Sequence, residues 1–209
     1  MSSGRFITFE GGEGAGKSTQ IRHLADRLEA SGLSVLQTRE PGGSPGAEEI
    51  RSLLVTGEGD RWTSMTEVLL HFAARADHLA RVIRPALAAG TWVLCDRFID
   101  SSMAYQGIAQ GVGRKVIADL TDLVVADTIP DLTLILDLPV AKGLARAGGR
   151  GEGEDRYEKM GTAFHETLRQ AFLDIGAEAS ARCAIIDAST DIDSVSQAIW
   201  SETAKRFSL

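Results

Sequence analysis

The chain has only two cysteines, Cys95 and Cys183, each in an apolar strand-like run. Two thiols exclude a disulfide framework, and no Cys/His spacing marks a metal site. Buried, inert thiols are expected. Long apolar runs are missing as well. Nothing approaches the ~18 continuous apolar residues of a membrane helix, and Met1-Ser2-Ser3-Gly4-Arg5 holds no signal-peptide core. The expectation is a soluble, cytoplasmic protein with no membrane partner. Basic residues are outnumbered, 22 against 29 acidic, for a net charge of −7. That argues against a broad nucleic-acid patch. Phosphate substrates must therefore be caught by a local basic cluster working against the overall field. No repeat, low-complexity tract or linker interrupts the chain, and no Asn-Lys-x-Asp run marks a guanine-binding switch.

What is present suits one α/β domain: 209 residues, 44% of them apolar. Short β-type runs alternate with helical patterns. The runs are Phe6-Ile7-Thr8-Phe9, Ser34 to Thr38, Trp92 to Cys95, Leu132 to Leu136 and Ala184 to Ile186. Several are apolar on consecutive residues, the mark of strands buried on both faces. A five-stranded parallel sheet flanked by helices follows. A long helical stretch is expected from about Met65 to Ala89, and another from about Tyr157 to Ala179 with Met160, Phe164, Leu168, Phe172 and Ile175 on one stripe. A last helix starts after Asp191 as N-cap, with Ile192, Val195 and Ile199 facing inward.

The most informative run is Gly11-Gly12-Glu13-Gly14-Ala15-Gly16-Lys17-Ser18, which follows the first strand and opens a helix. This is Gly-x-x-x-x-Gly-Lys-Ser in the strand–loop–helix setting of a P-loop. Its glycines let backbone N–H groups turn onto a polyphosphate, and the helix N-terminus adds partial positive charge. Lys17 would reach the β- and γ-phosphates of ATP, and Ser18 would hold Mg²⁺. Two more motifs sit just past strand ends: Arg39-Glu40-Pro41-Gly42-Gly43 and Asp96-Arg97. In a parallel sheet they converge with the P-loop in one cleft. Asp96 can hold Mg²⁺ through water, and Arg97 can bridge donor and acceptor phosphates. Arg146 to Arg156 is rich in glycine and arginine, with no side chain able to pack a core. It reads as a lid that closes over phosphates and excludes water. Phe72 and Arg75 share a helix face that could read a nucleobase, or could simply be a core Phe and a surface Arg.

These pieces together closely resemble the bacterial thymidylate kinases, over nearly the whole chain. The resemblance rests on Phe9 to Thr19, Thr38 to Gly43, Phe72-Ala73-Ala74-Arg75, Asp96-Arg97-Phe98, Ser101-Ser102 with Ala104-Tyr105-Gln106-Gly107, Pro130 to Thr133, and Asp155-Arg156. Other nucleoside monophosphate kinases share the P-loop and a lid but not this set. The resemblance implies ATP + dTMP ⇌ ADP + dTDP with Mg²⁺, and a homodimer. It implies that Glu13 bonds the deoxyribose 3′-OH, that Arg75 meets the thymine carbonyl, and that Ser102 and Gln106 approach the ring edge. Tyr105 would pack on the 2′ carbon and disfavour ribose. Arg51 and Arg97 would hold the acceptor phosphate, with Glu40, Pro41 and Ser101 completing the substrate side. Gly11 to Thr19 would bind ATP together with lid arginines. Either Arg146 or Arg150 contacts the γ-phosphate, and Arg150 matches the bacterial pattern. Many relatives place a thymine-stacking Phe four residues before the arginine. Here that position is His71, and Phe72 stands three before it, so Phe72 is expected to stack. Rival readings are a kinase for another deoxynucleotide, a nucleotide-dependent switch, or a structural protein with a degenerate P-loop.

Overall fold

The computed structural model describes residues 4–57, 61–147 and 160–209. Five parallel strands form one sheet: β1 (Phe6–Glu10), β2 (Val35–Arg39), β3 (Trp92–Asp96), β4 (Leu132–Asp137) and β5 (Cys183–Asp187), in the order β2-β3-β1-β4-β5. β1 is central, with Phe6 opposite Val93 on one side and Ile7 opposite Leu132 on the other. All five of its residues are buried. This is what consecutive apolar residues require when helices cover both faces. From β3 the chain crosses β1 to reach β4, so the direction of winding reverses at β1. Ligand clefts of open parallel sheets form beyond the strand carboxyl ends at such a reversal.

One face of the sheet packs on α1 (Lys17–Ala30) and α9 (Ile192–Phe207) through Ile7, Phe9, Leu94, Leu134, Ile21, Leu24, Leu28, Val195 and Ile199. The other carries Phe6, Val93, Cys95 and Phe98 against Leu79 and Ile83. A third cluster joins Ile135 to Leu168, Phe172 and Ile175 of α8 (Thr162–Glu178). Each such side chain stabilises the fold by about 1.5–3 kcal/mol relative to exposure. Cys95 and Cys183 are buried and unbridged, and burial pushes both thiols up, Cys183 to about 11.

The helical stretch expected from about Met65 to Ala89 is present and unbroken from Ser64 to Ala88, with one irregular turn inside it. It runs as α3 (Ser64–His78), a π-helical turn (Leu79–Ile83) and α4 (Arg84–Ala88). Pro85 stands at the start of α4. Having no N–H, it cannot continue the regular ladder, and the wider turn takes up the mismatch. Ile192 does not face inward: it is 57% exposed, and the buried stripe of α9 begins at Val195. Ile192 is the first helical residue, where the turn overhangs the core and its carbonyl accepts from Gln20 Nε2 at 3.0 Å. Asp191 caps that helix as expected, accepting from the Ser194 N–H at 2.9 Å. The remaining helices are α2 (Pro45–Val55), α5 (Ile99–Ser102, continuing as a π-helical segment Met103–Ala109), α6 (Arg114–Val124) and α7 (Val140–Ala147). Among the described residues, no helix is long and apolar enough to cross a membrane.

Candidate active site

The three motifs past the strand ends do meet. A cleft of about 430 Å³ is lined by Glu13, Gly14, Ala15, Gly16, Lys17, Ser18 and Thr19, with Arg22, Arg39, Arg51, Asp96 and Arg97 facing them. The loop holds its shape by close backbone packing. Gly14 has φ +67°, and a Cβ there would stand 2.1 Å from the Gly143 carbonyl of α7. Only glycine fits both demands. Lys17 is buried, and its Nζ donates to the carbonyls of Gly11 (3.2 Å) and Gly12 (3.0 Å). Burial, then the nearby Arg97 charge, lowers its pKa from the usual ammonium value. The Ser18 hydroxyl donates to Asp96 Oδ2 at 2.9 Å, so β1's loop and the end of β3 bring two hard oxygens together. That donor set fits Mg²⁺, which takes one or two protein oxygens and completes its shell with phosphates and water.

A second cavity, of about 340 Å³, adjoins the first and shares Glu13, Arg51, Asp96 and Arg97 with it. Arg97 stands between the two. Its Nη2 donates to Glu13 Oε1 at 2.7 Å and its Nη1 to the Gly11 carbonyl at 3.1 Å and Ser101 Oγ at 3.2 Å. Its backbone has φ +68°, a costly conformation for a side chain of this size. The surroundings enforce it. The Arg97 N–H donates to Phe9 O at 2.9 Å. The next residue, Phe98, donates its N–H to Glu10 Oε1 at 2.8 Å. Glu10 also accepts from the Ser101 hydroxyl at 2.6 Å. Burial, and then the charge of Asp100, pushes the Glu10 carboxyl up to about 7. Glu13 behaves oppositely. Burial alone would raise it, but the Arg97 and Lys17 charges and the Tyr105 hydroxyl (2.8 Å) hold it at about 2.

The far wall of this cavity comes from α3 and the α5 segment. Arg75 is buried at 2% exposure, so the plain reading of a surface arginine fails. Its Nε donates to Glu40 Oε2 at 2.7 Å, and its Nη2 to Phe98 O (3.1 Å) and Ser102 Oγ (3.0 Å). Its Nη1 is buried with no hydrogen-bond partner. Glu40 in turn faces His78 Nδ1 at 3.1 Å, whose Nε2 lies 2.7 Å from Thr38 Oγ1. Arg51 Nη1 donates to Pro41 O at 2.7 Å. Ser101, Ser102, Tyr105 and Gln106 complete the lining.

One assignment is revised. Phe72 does not line the cavity; His71 does. Phe72 packs in a core cluster with Val68 and Ile117, and the Arg75 guanidinium lies over its ring, 4.7 Å from the centroid. One residue of rotation along α3 separates the two faces. Arg146 is exposed on the last turn of α7. Arg150 and the rest of the expected lid, residues 148–156, lie outside the described residues. Sequence reasoning also passed over Glu10, Glu67 and His78. A signal for two of them exists: Glu67, His71, Arg75 and His78 recur at spacings of four, four and three, a polar stripe on one helix.

Comparison with known proteins agrees with this geometry. The family model described as thymidylate kinase matches residues 9–199. A thymidylate kinase of Caulobacter vibrioides is 56% identical over 209 residues, covering 100% of both chains. One of Magnetococcus marinus is 52% identical, covering 98% of this chain and 97% of its own. A crystal structure of thymidylate kinase from Ehrlichia chaffeensis superposes with a TM-score of 0.77 at 34% identity, covering 96% of this chain and 99% of that one. With P-loop, adjoining cavity and full-length similarity in agreement, the chain belongs to the thymidylate kinase family of nucleoside monophosphate kinases.

Proposed function

We propose that this protein transfers the γ-phosphoryl group of MgATP to dTMP, giving ADP and dTDP, in the cytoplasm. The observation that carries the reading is Arg97. It stands where the P-loop cleft and the second cavity meet, and it lines both. A cation at that junction can neutralise donor and acceptor phosphates together, which a hydrolase or switch does not need.

The acceptor is a phosphate monoester with a second pKa of about 6, so at neutral pH it is already nucleophilic and no general base is required. Catalysis is then positioning and charge neutralisation. Lys17, now bonded to the carbonyls of its own loop, is placed to exchange them for phosphate oxygens. Arg51 and Arg97 hold the acceptor phosphate, and Arg146 or Arg150 supplies charge to the γ-phosphate. Ser18 and Asp96 would hold Mg²⁺, which when bound neutralises β- and γ-phosphate oxygens. Glu13 is kept ionised, and so able to accept from a sugar 3′-hydroxyl. The unpaired Nη1 of Arg75 offers a donor to a base carbonyl. Tyr105 packs against the 2′ carbon of the sugar in this reading and so disfavours ribose. The active form in this reading is a homodimer, for which exposed Leu53, Met65 and Leu69 on α2 and α3 offer apolar surface.

The test is ADP production from MgATP with dTMP, dUMP, the ribose form of TMP, dCMP, dGMP or no acceptor. Fast turnover with dTMP, slow with dUMP and almost none with the ribose form is expected. Equal ADP release without any acceptor means a hydrolase or switch, and the base-pocket assignments fall with it.

A further inference from the structure

Glu67 is an acid that phosphate chemistry does not explain. It sits on α3, two turns before Arg75, and is 1% exposed. Its Oε1 accepts from Nε2 of Gln106 at 2.8 Å and from Nε2 of Gln110 at 2.8 Å. Both amides come from the π-helical segment after α5 and the residue that ends it. Burying a carboxylate is unfavourable unless strong hydrogen bonds compensate, so its presence here has a structural consequence.

A glutamine amide has a donor end and an acceptor end of nearly equal shape, and only its partners decide which way it points. A carboxylate oxygen can only accept. Glu67 therefore commits the nitrogen end of Gln106 to itself and leaves the carbonyl end turned away. Gln106 is also part of the acceptor cavity, with Arg75 on the same wall. Arg75 cannot reverse its polarity: it has donors only, and Nη1 is unpaired. The wall thus carries a donor that cannot change and an acceptor that Glu67 keeps from changing. A pyrimidine with a 4-carbonyl beside a protonated N3 matches that pair. One with a 4-amine beside a bare N3 opposes donor to donor and acceptor to acceptor.

We propose that Glu67 is a specificity-determining positioning residue, which selects 4-oxo over 4-amino pyrimidine nucleotides by fixing which end of the Gln106 amide the base meets. This rests on the reading above that the base of dTMP enters this cavity. Sites built to hydrogen-bond a group discriminate strongly against the analogue that cannot pair, because a buried polar atom is then left unsatisfied.

The experiment compares kcat/KM for dTMP and 5-methyl-dCMP, which differ only at position 4 and N3, in the wild type and in Glu67→Gln and Glu67→Asp. Glutamine at position 67 can turn its own amide, so it no longer dictates the direction of Gln106. The dTMP preference is expected to fall by about tenfold or more in Glu67→Gln, about the effect of one reversed hydrogen bond. Glu67→Asp keeps a carboxylate and retains most of the preference. A Glu67→Gln preference within about threefold of wild type overturns the proposal. If Glu67→Gln does not fold, the wild type still decides. The Gln106 side-chain amide, assigned by its loss in Gln106→Met, should show one proton shifted downfield by a charge-assisted bond in a ¹H–¹⁵N spectrum. Ordinary, rapidly exchanging amide protons overturn it. A wild type that phosphorylates neither nucleotide sinks the kinase reading instead, and the amide spectrum then judges Glu67 alone.

Discussion

Arg97 and Glu13 meet at 2.7 Å, although one lies just past β3 and the other inside the P-loop 84 residues earlier. Tyr105 adds its hydroxyl to the same Oε1 at 2.8 Å. The pair fastens the P-loop to the wall of the second cavity, so the two cavities hold one geometry.

Arg97→Ala is expected to lower turnover by about 10³-fold or more, by analogy with arginines that stabilise transferring phosphoryl groups. Its far-UV circular dichroism should match wild type. A variant that keeps more than about a tenth of the wild-type rate removes Arg97 from the mechanism.

Arg75→Met should lose stability as well as dTMP binding. It leaves Glu40 buried with His78 but without its guanidinium partner. Breaking a buried pair on one side costs about 3–5 kcal/mol. Urea unfolding measures this, and a loss below about 1 kcal/mol would show that Glu40 does not depend on Arg75.

Gly14→Ala and Gly12→Ala separate loop packing from loop composition. A Cβ at Gly14 meets the Gly143 carbonyl at 2.1 Å with φ at +67°, whereas one at Gly12 meets nothing within 4 Å. Gly14→Ala should destabilise by about 1–3 kcal/mol, and Gly12→Ala by less than about 1. Equal melting temperatures for the two variants would refute the packing account.

Glu10 gives the fold a pH dependence of defined sign. Burial, then Asp100, raises its carboxyl from 4.5 to about 7. Between those values the folded state binds more protons than the unfolded one. Glu10's contribution is therefore most favourable below about 4.5 and declines as pH rises through 7. Glu10→Gln can keep the acceptor for Phe98 and Ser101 N–H and removes the titration. Its unfolding free energy should lose this slope between pH 4.5 and 7.5. A slope unchanged from wild type assigns the pH dependence to other groups.

Much of this was legible in the chain because it is local. Gly11 to Ser18 is contiguous, and its chemistry needs only the strand before it and the helix after it. The strands announced a parallel sheet through consecutive apolar residues. The buried stripe of α8 at Leu168, Phe172 and Ile175 was equally plain, since spacings of three and four define a helix face whatever packs on it. But Met160, expected on the same stripe, precedes the helix, which starts at Thr162, and Phe164 is only half-buried.

His71 and Phe72 show where that legibility stops. Spacings of four and three before Arg75 are both compatible with one side of a helix, so sequence alone could not say which residue looks into the cavity. Packing of Phe72 on Ile117 of α6, 45 residues on, decided it. Glu67 was silent for the same reason, because its partner Gln106 lies 39 residues away. Composition and motif spacing determined the class of fold, the phosphate-binding loop and the set of charged groups available. Tertiary structure alone decided the strand order, the junction position of Arg97 and the direction of each buried polar side chain. Those depend on contacts between distant segments, and the periodicity of one element carries no information about what lies opposite it.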